Sequence, residues 1–123
     1  MKRVLVIDDA ATVRMYYRLT LQGEDLQVEE AANGLEGLEK ALQAHFDLYV
    51  VDINMPKLDG YGFLRELRSL DIPQAPAIMV STEAELPDLA QAFAAGANVY
   101  LFKPVKPHQL LTHVRLLLGD VHP

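Results

Sequence analysis

Short apolar runs alternate along the chain with longer segments whose apolar residues recur every three or four positions. The runs cover residues 4–7, 48–51, 77–80 and 99–102, with a more polar fifth at 27–30. Four of them read as central or well-covered parallel strands, and the alternating segment around Val28 reads as an edge. Between the runs, Val13, Tyr16, Tyr17 and Leu21 fit the apolar stripe of a first helix. Leu35, Leu38, Ala41 and Leu42 fit a second, which follows the Asn33-Gly34 turn. A third starts near Gly60, buries Phe63, Leu64 and Leu67, and ends at the Ile72-Pro73 and Ala75-Pro76 breaks. The fourth, over residues 87–95, is alanine-rich and anchored only by Leu89, Ala92 and Phe93. The fifth begins at Pro107 or His108, carries Leu110, Leu111, Val114, Leu117 and Leu118, and stops near Gly119. Strands alternating with helices imply crossovers of one hand, and hence an α/β three-layer sandwich with a five-stranded parallel sheet and five helices. Periodicity leaves the strand order open.

Composition narrows the setting. A chain of 123 residues suits one core, and no internal repeat, linker or low-complexity tract divides it. Eleven Lys and Arg against seventeen Asp and Glu, a net charge of −6, offer a nucleic acid or an anionic membrane little attraction. With no cysteine, disulfides, thiolate nucleophiles and thiolate metal sites are all excluded. The apolar run at the amino terminus ends at Asp8, too soon for a signal peptide, and no stretch approaches the roughly 20 apolar residues of a membrane span. The expectation is a cytoplasmic protein that does not insert into membranes.

In a doubly wound sheet, chemistry gathers beyond the carboxyl ends of the strands. Asp8 and Asp9 follow the first run, Asp52 ends the third, Ser81 and Thr82 end the fourth, and Lys103 follows the fifth. Asp8 and Asp9 have an ordinary reading as helix N-cap residues. Asp52 reaching the same edge changes that, because three clustered carboxylates repel one another unless protonated or bound to a cation. With oxygen donors only, Mg²⁺ is preferred, and Mn²⁺ can substitute. Lys103 alone reads as a solvated lysine, but the Pro104 that follows turns the chain and aims its ammonium at the acids. Ser81 alone reads as a capping hydroxyl, and beside Lys103 it becomes a donor to the same place. A carboxylate, a divalent cation, an ammonium and a hydroxyl together suit a phosphoryl group, with Asp52 as the nucleophile.

These segments carry a close family resemblance. VLVIDDAATVR, DLYVVDINMPKLDGYGFLREL, IMVST and AGANVYLFKPV, in this order, resemble the receiver domain of two-component response regulators, specifically the compact single-domain chemotaxis-type form. The resemblance implies a flavodoxin-like sheet ordered 2-1-3-4-5. It implies one receiver domain over residues 1–121 with no separate output domain, and Asp52 phosphorylated by a histidine kinase or histidine phosphotransfer protein. Asp9 matches the direct metal-binding acid, Asp8 the acid acting through water, and the backbone carbonyl of Asn54 the remaining protein ligand beside Asp52. Ser81 matches the switch hydroxyl, here serine in place of the commoner threonine, and Lys103 matches its ionic partner. Tyr100 is similar to the aromatic switch residue, which also has an ordinary reading as a half-buried strand aromatic. Pro104 is similar to the cis proline after the lysine, and Asn54 and Glu83 to the positions that tune phosphoryl lifetime. Self-dephosphorylation at an intermediate rate is the expectation.

The implied protein is not an enzyme acting on a separate substrate. It performs Mg²⁺-dependent self-phosphorylation and self-dephosphorylation, and signals by protein contact through the face of the fourth helix, fifth strand and fifth helix. Chemotaxis or motility is the first expectation for its pathway, with a monomer that can dimerise on activation. Gly60 and Gly62 read as shape residues, Met55 as site-edge packing and Met79 as core, while His45, His108, His113 and His122 form no zinc set. Two alternatives stay open: a Mg²⁺-dependent aspartyl-nucleophile phosphatase, against which Asn54 stands where a general acid is needed, and a non-phosphorylated interaction module. Flavin binding fits the topology, but DDAATVR sets anionic side chains against an anionic cofactor.

Overall fold

The computed structural model describes residues 1–83 and 85–119. The expectations for His122 and for a domain end at residue 121 lie outside the described residues. The elements run β1 (Lys2–Ile7), α1 (Ala11–Leu21), a short 3-10 turn (Gln22–Glu24), β2 (Leu26–Ala31), α2 (Gly34–Gln43), β3 (Leu48–Asp52), α3 (Gly60–Ser69), β4 (Ala77–Ser81), α4 (Leu86–Ala95), β5 (Val99–Phe102) and α5 (Pro107–Leu117). All strand pairings are parallel, in the order β2-β1-β3-β4-β5, so the flavodoxin-like arrangement holds.

Alternate residues of each strand face opposite layers, and this period of two builds two cores. Val4, Val6, Val50, Ile78 and Val80 pack with Tyr17 and Leu21 of α1 and with Leu110 and Val114 of α5. Leu5, Ile7, Tyr49, Val51 and Met79 pack with Phe63, Leu64 and Leu67 of α3 and with Ala92 and Ala95 of α4. The strand runs and helix positions follow the hydrophobic pattern closely, but three details differ.

Helix α2 buries Gly34, Gly37 and Ala41, while Leu35 and Leu42, expected on its buried stripe, are exposed. A Cβ at Gly37 would stand 2.8 Å from Ile7 Cδ1 and 2.9 Å from the Phe63 ring, so the helix approaches the sheet through small residues; Leu35 and Leu42 turn outward, while Leu38 packs against the core as expected. In α4, Ala92 and Ala95 face the core and Phe93, expected as an anchor, is 48% exposed. Strand β5 is the second edge of the sheet, and of its four residues only Leu101 is buried. Among the described residues no helix is long and apolar enough to cross a membrane.

Candidate functional site

Because every strand runs the same way, the ends of β1, β3 and β4 and the start of the loop after β5 meet at one edge. Asp8 leaves β1 with its N–H still donating to Ala31 O at 3.1 Å, and its Oδ1 accepts from the Ala10 N–H at 2.9 Å. The N-cap of α1 is Ala10, with no side-chain cap bond, so neither Asp8 nor Asp9 serves as the cap. Asp8 is 1% exposed and Asp9 faces solvent. Asp52, last residue of β3, is buried.

Behind Asp52 the chain turns through the MPKLDG segment into α3, where the Asp59 carboxylate accepts from Gly62 N–H at 2.8 Å as the N-cap. Gly60 N–H donates to Ile53 O at 2.8 Å, and a Cβ there would stand 2.5 Å from the Asp52 carbonyl oxygen. Only a glycine lets the helix start this close to the end of β3. Met55 is half-buried against the neighbouring core and Met79 is fully inside it.

Lys103 closes the opposite side. Its N–H donates to Ser81 O at 2.8 Å, the Lys103–Pro104 peptide bond is cis, and its Nζ lies 3.0 Å from Asp52 Oδ1 and 3.3 Å from Asp8 Oδ2. Burial alone would push the ammonium pKa down, but the hydrogen bond to Asp52 and the charges of Asp52 and Asp8 raise it above the usual lysine value. Burial raises the Asp52 carboxyl above the usual carboxylate range; the Lys103 hydrogen bond opposes this and the charges of Asp8 and Asp9 add to it. Each of Asp8, Asp9 and Asp52 offers an oxygen, all within 4.8 Å of one another. Carboxylate oxygens without thiolate or imidazole are the donor set of a hard divalent cation, and the cluster's like charges are what such an ion would neutralise.

Ser81 is completely buried, and its Oγ accepts from Glu83 N–H at 3.0 Å while keeping a hydroxyl proton to donate. Tyr100 is half-buried, packs edge-on against Phe102 at 5.4 Å, and donates from its hydroxyl to Glu83 O at 2.8 Å. Asn54, two residues past Asp52, and Glu83 are both exposed. His45 and His108 are exposed, His113 is half-buried, and none belongs to the acidic cluster.

Two residues at the site have no chemical signal in the hydrophobic pattern. Arg14 donates from Nη1 to the Asp8 carbonyl oxygen at 2.6 Å. Tyr17, on the core stripe of α1, has its phenol pKa pushed far up by burial and then by the charges of Asp8 and Asp52. An open cavity of about 470 Å³, lined in part by Tyr16, Tyr17, Pro104 and Val105, runs up to Lys103.

This geometry can be set beside known proteins. The family model described as the response regulator receiver domain matches residues 4–115. The transcriptional regulatory protein ResD of Bacillus subtilis (strain 168) is 35% identical over 116 residues, which are 94% of this chain and 48% of that protein. The chain thus spans about half the length of the curated relatives it matches. The Vibrio cholerae chemotaxis protein CheY4 superposes with a TM-score of 0.89 at 35% identity, covering 95% of this chain and 98% of that one. A CheY-like receiver domain protein of Methanospirillum hungatei JF-1 superposes with a TM-score of 0.90 at 33% identity, covering 98% and 95%. A family match across nearly the whole chain, together with two near-complete superpositions at a third identity, identifies this chain as a member of the response regulator receiver domain family.

Proposed function

We propose that Asp52 accepts a phosphoryl group from a histidine kinase or histidine phosphotransfer protein, and that the resulting acyl phosphate changes which protein the domain binds. The observation that carries this reading is the Lys103 ammonium held between Asp52 and Asp8 at 3.0 and 3.3 Å, on a buried acid beside two further carboxylate oxygens. An Asp52 Oδ attacks the donor phosphorus, the P–N bond to the phosphohistidine breaks, and the imidazole leaves with a proton from solvent. Asp8, Asp9, Asp52 and the Asn54 carbonyl would hold Mg²⁺, or Mn²⁺ in its place. When bound, the ion offsets charge on the phosphoryl oxygens. Lys103 pairs with one equatorial oxygen and the Ser81 O–H donates to another. Water attack at phosphorus breaks the Asp52–phosphoryl bond and returns the free carboxylate, at a rate that Asn54 and Glu83 tune from the open side of the site.

Movement of the Ser81 hydroxyl toward the phosphoryl group would withdraw it from Glu83 N–H, and Tyr100 holds the carbonyl of that same residue. A link of this kind supports a downstream partner at the α4–β5–α5 face, where Phe93 and Phe102 are each 48% exposed. This reading takes residues 1–121 as one receiver domain, monomeric until activated, with chemotaxis or motility as the first pathway to test.

Incubation with Mg²⁺ and acetyl phosphate or phosphoramidate, followed by intact mass, tests the chemistry. The expected product is a single base-labile phosphoryl adduct that requires Mg²⁺ and is absent from Asp52→Asn. No adduct would overturn the reading, and turnover of unrelated phosphomonoesters would favour a phosphatase.

A further inference from the structure

We propose that Arg14 is a positioning residue for the acidic centre: its guanidinium fixes the Asp8–Asp9 turn from behind and so sets the affinity for the divalent cation. The proposal rests on the metal-binding reading above and names a residue that touches neither metal nor phosphoryl group.

Asp8 is the point where β1 stops being a strand. Its N–H remains in the ladder with Ala31, but its carbonyl faces out of the sheet pairing and is taken by Arg14 Nη1 at 2.6 Å. The same guanidinium donates from Nε to Glu30 Oε1 at 2.9 Å. A planar guanidinium bridging two acceptors has little freedom to rotate, and the Arg14 side chain is only 17% exposed.

Glu30 is itself held. Its second carboxylate oxygen accepts from Arg18 Nε at 2.9 Å, its backbone carbonyl accepts from Lys40 Nζ, and its residue pairs with Val6 in the β1–β2 ladder. Partial burial acts to raise the Glu30 pKa, but the hydrogen bonds from Arg18 and Arg14 bring it below the usual range, so it stays charged. The chain of contacts therefore runs from a fixed β2 carboxylate, through Arg14, to the peptide joining Asp8 and Asp9. On the far side of Asp9, the Ala10 N–H is bound to Asp8 Oδ1. The exposed Asp9 is thus set by pinned groups on both flanks, although its own carboxylate has no hydrogen-bond partner among the described residues.

Arg18 provides an internal comparison. It shares Glu30 with Arg14, at 2.8 Å from Nη2 to Oε2, but makes no contact with Asp8. Loss of either arginine costs an ion pair on Glu30, and only loss of Arg14 frees the Asp8 carbonyl.

Calorimetric titration of the metal-free protein with Mg²⁺ separates the two roles. Arg14→Met should weaken binding about tenfold, within the range for outer partners of metal ligands. Arg14→Lys, a point charge that cannot bridge both acceptors, should recover part of the loss, and Arg18→Met should bind as wild type does. With phosphoramidate, the half-saturating Mg²⁺ concentration of Arg14→Met should rise by the same factor while the rate at saturating Mg²⁺ stays unchanged. Far-UV circular dichroism confirms that each variant is folded, and if Arg14→Met is not, Arg14→Lys carries the comparison by its weaker binding. Wild-type affinity in the folded Arg14 variants, or an equal loss in Arg18→Met, would overturn the proposal. Absence of Mg²⁺ binding by the wild-type protein would instead overturn the metal-binding reading and this inference with it.

Discussion

Replacing Asp52 with Asn removes one charge from the acidic centre while keeping the side-chain volume and an oxygen acceptor for Lys103. At an effective dielectric of about 20, each of two carboxylates within 4.8 Å of Asp52 repels it by at least about 3.5 kcal/mol, and the Lys103 ammonium at 3.0 Å returns about 5.5 kcal/mol. These opposing charges come within about 1.5 kcal/mol of cancelling, the Lys103 hydrogen bond adds to the attraction, and burial is the largest effect that disfavours the Asp52 charge. Without metal the variant should therefore be more stable than wild type, with a melting temperature higher by a few degrees for a domain of this size.

The pH dependence has a definite sign. Asp52 has its folded-state pKa raised, first by burial, so its charge destabilises the fold fully above that raised value. The penalty fades as pH falls through it toward the ordinary Asp value of about 3.9. The advantage of Asp52→Asn should thus be largest at neutral pH and shrink on acidification. Thermal melts followed by circular dichroism in EDTA, at neutral and mildly acidic pH, read this directly. Added Mg²⁺ should raise the wild-type transition more than that of the variant. A variant that melts at or below wild type in EDTA at neutral pH would refute the unfavourable Asp52 charge on which the metal requirement rests.

Five other substitutions probe the scaffold. Gly60→Ala forces a Cβ to within 2.5 Å of the Asp52 carbonyl and should cost about 1–3 kcal/mol and slow Asp52 labelling. Gly23→Ala, with nothing within 4 Å, should change stability by no more than about 0.5 kcal/mol in a denaturant titration. Tyr100→Phe deletes the bond to Glu83 O, and should cost about 0.5–1.5 kcal/mol and speed hydrogen exchange of the Glu83 amide. Leu42→Gln, on a residue 60% exposed, should leave the melting temperature nearly unchanged, whereas Ala41→Gln, on the buried face of α2, should lower it by several degrees.

The contrast between Leu42 and Ala41 also shows where the sequence pattern misleads. Counting apolar residues places Leu35 and Leu42 inside, because glycine carries no hydrophobic weight, yet Gly37 is what allows α2 to lie against β1 and α3, and Gly34 lets its first turn approach Leu58. Phe93 misleads for a related reason: alanines on the opposite side of α4 bring that helix close, leaving no room for the ring. The apolar VYLF run reads as a covered strand, but its place in the order makes it an edge, and strand order does not appear in periodicity.

The meeting of Asp8, Asp52 and Lys103 was legible because a parallel sheet delivers all its strand ends to one edge, so position along the chain already implies proximity in space. Arg14 was not legible, since its function lies in a bond to a backbone carbonyl, which leaves no mark on the residue pattern. The separation of a buried Asp8 from an exposed Asp9 was equally hidden: adjacent identical residues differ only in which way the turn points them.

The central claim is that the phosphoryl group resides on Asp52, and reductive trapping measures it most directly. Borohydride treatment of the phosphorylated protein converts an aspartyl phosphate to homoserine, which peptide mass spectrometry places in the sequence. The account predicts homoserine at position 52 in the peptide ending at Lys57, formed only when Mg²⁺ was present. Homoserine at Asp8, Asp9, Asp47 or Asp59 instead, or at position 52 to the same extent in EDTA, would contradict it.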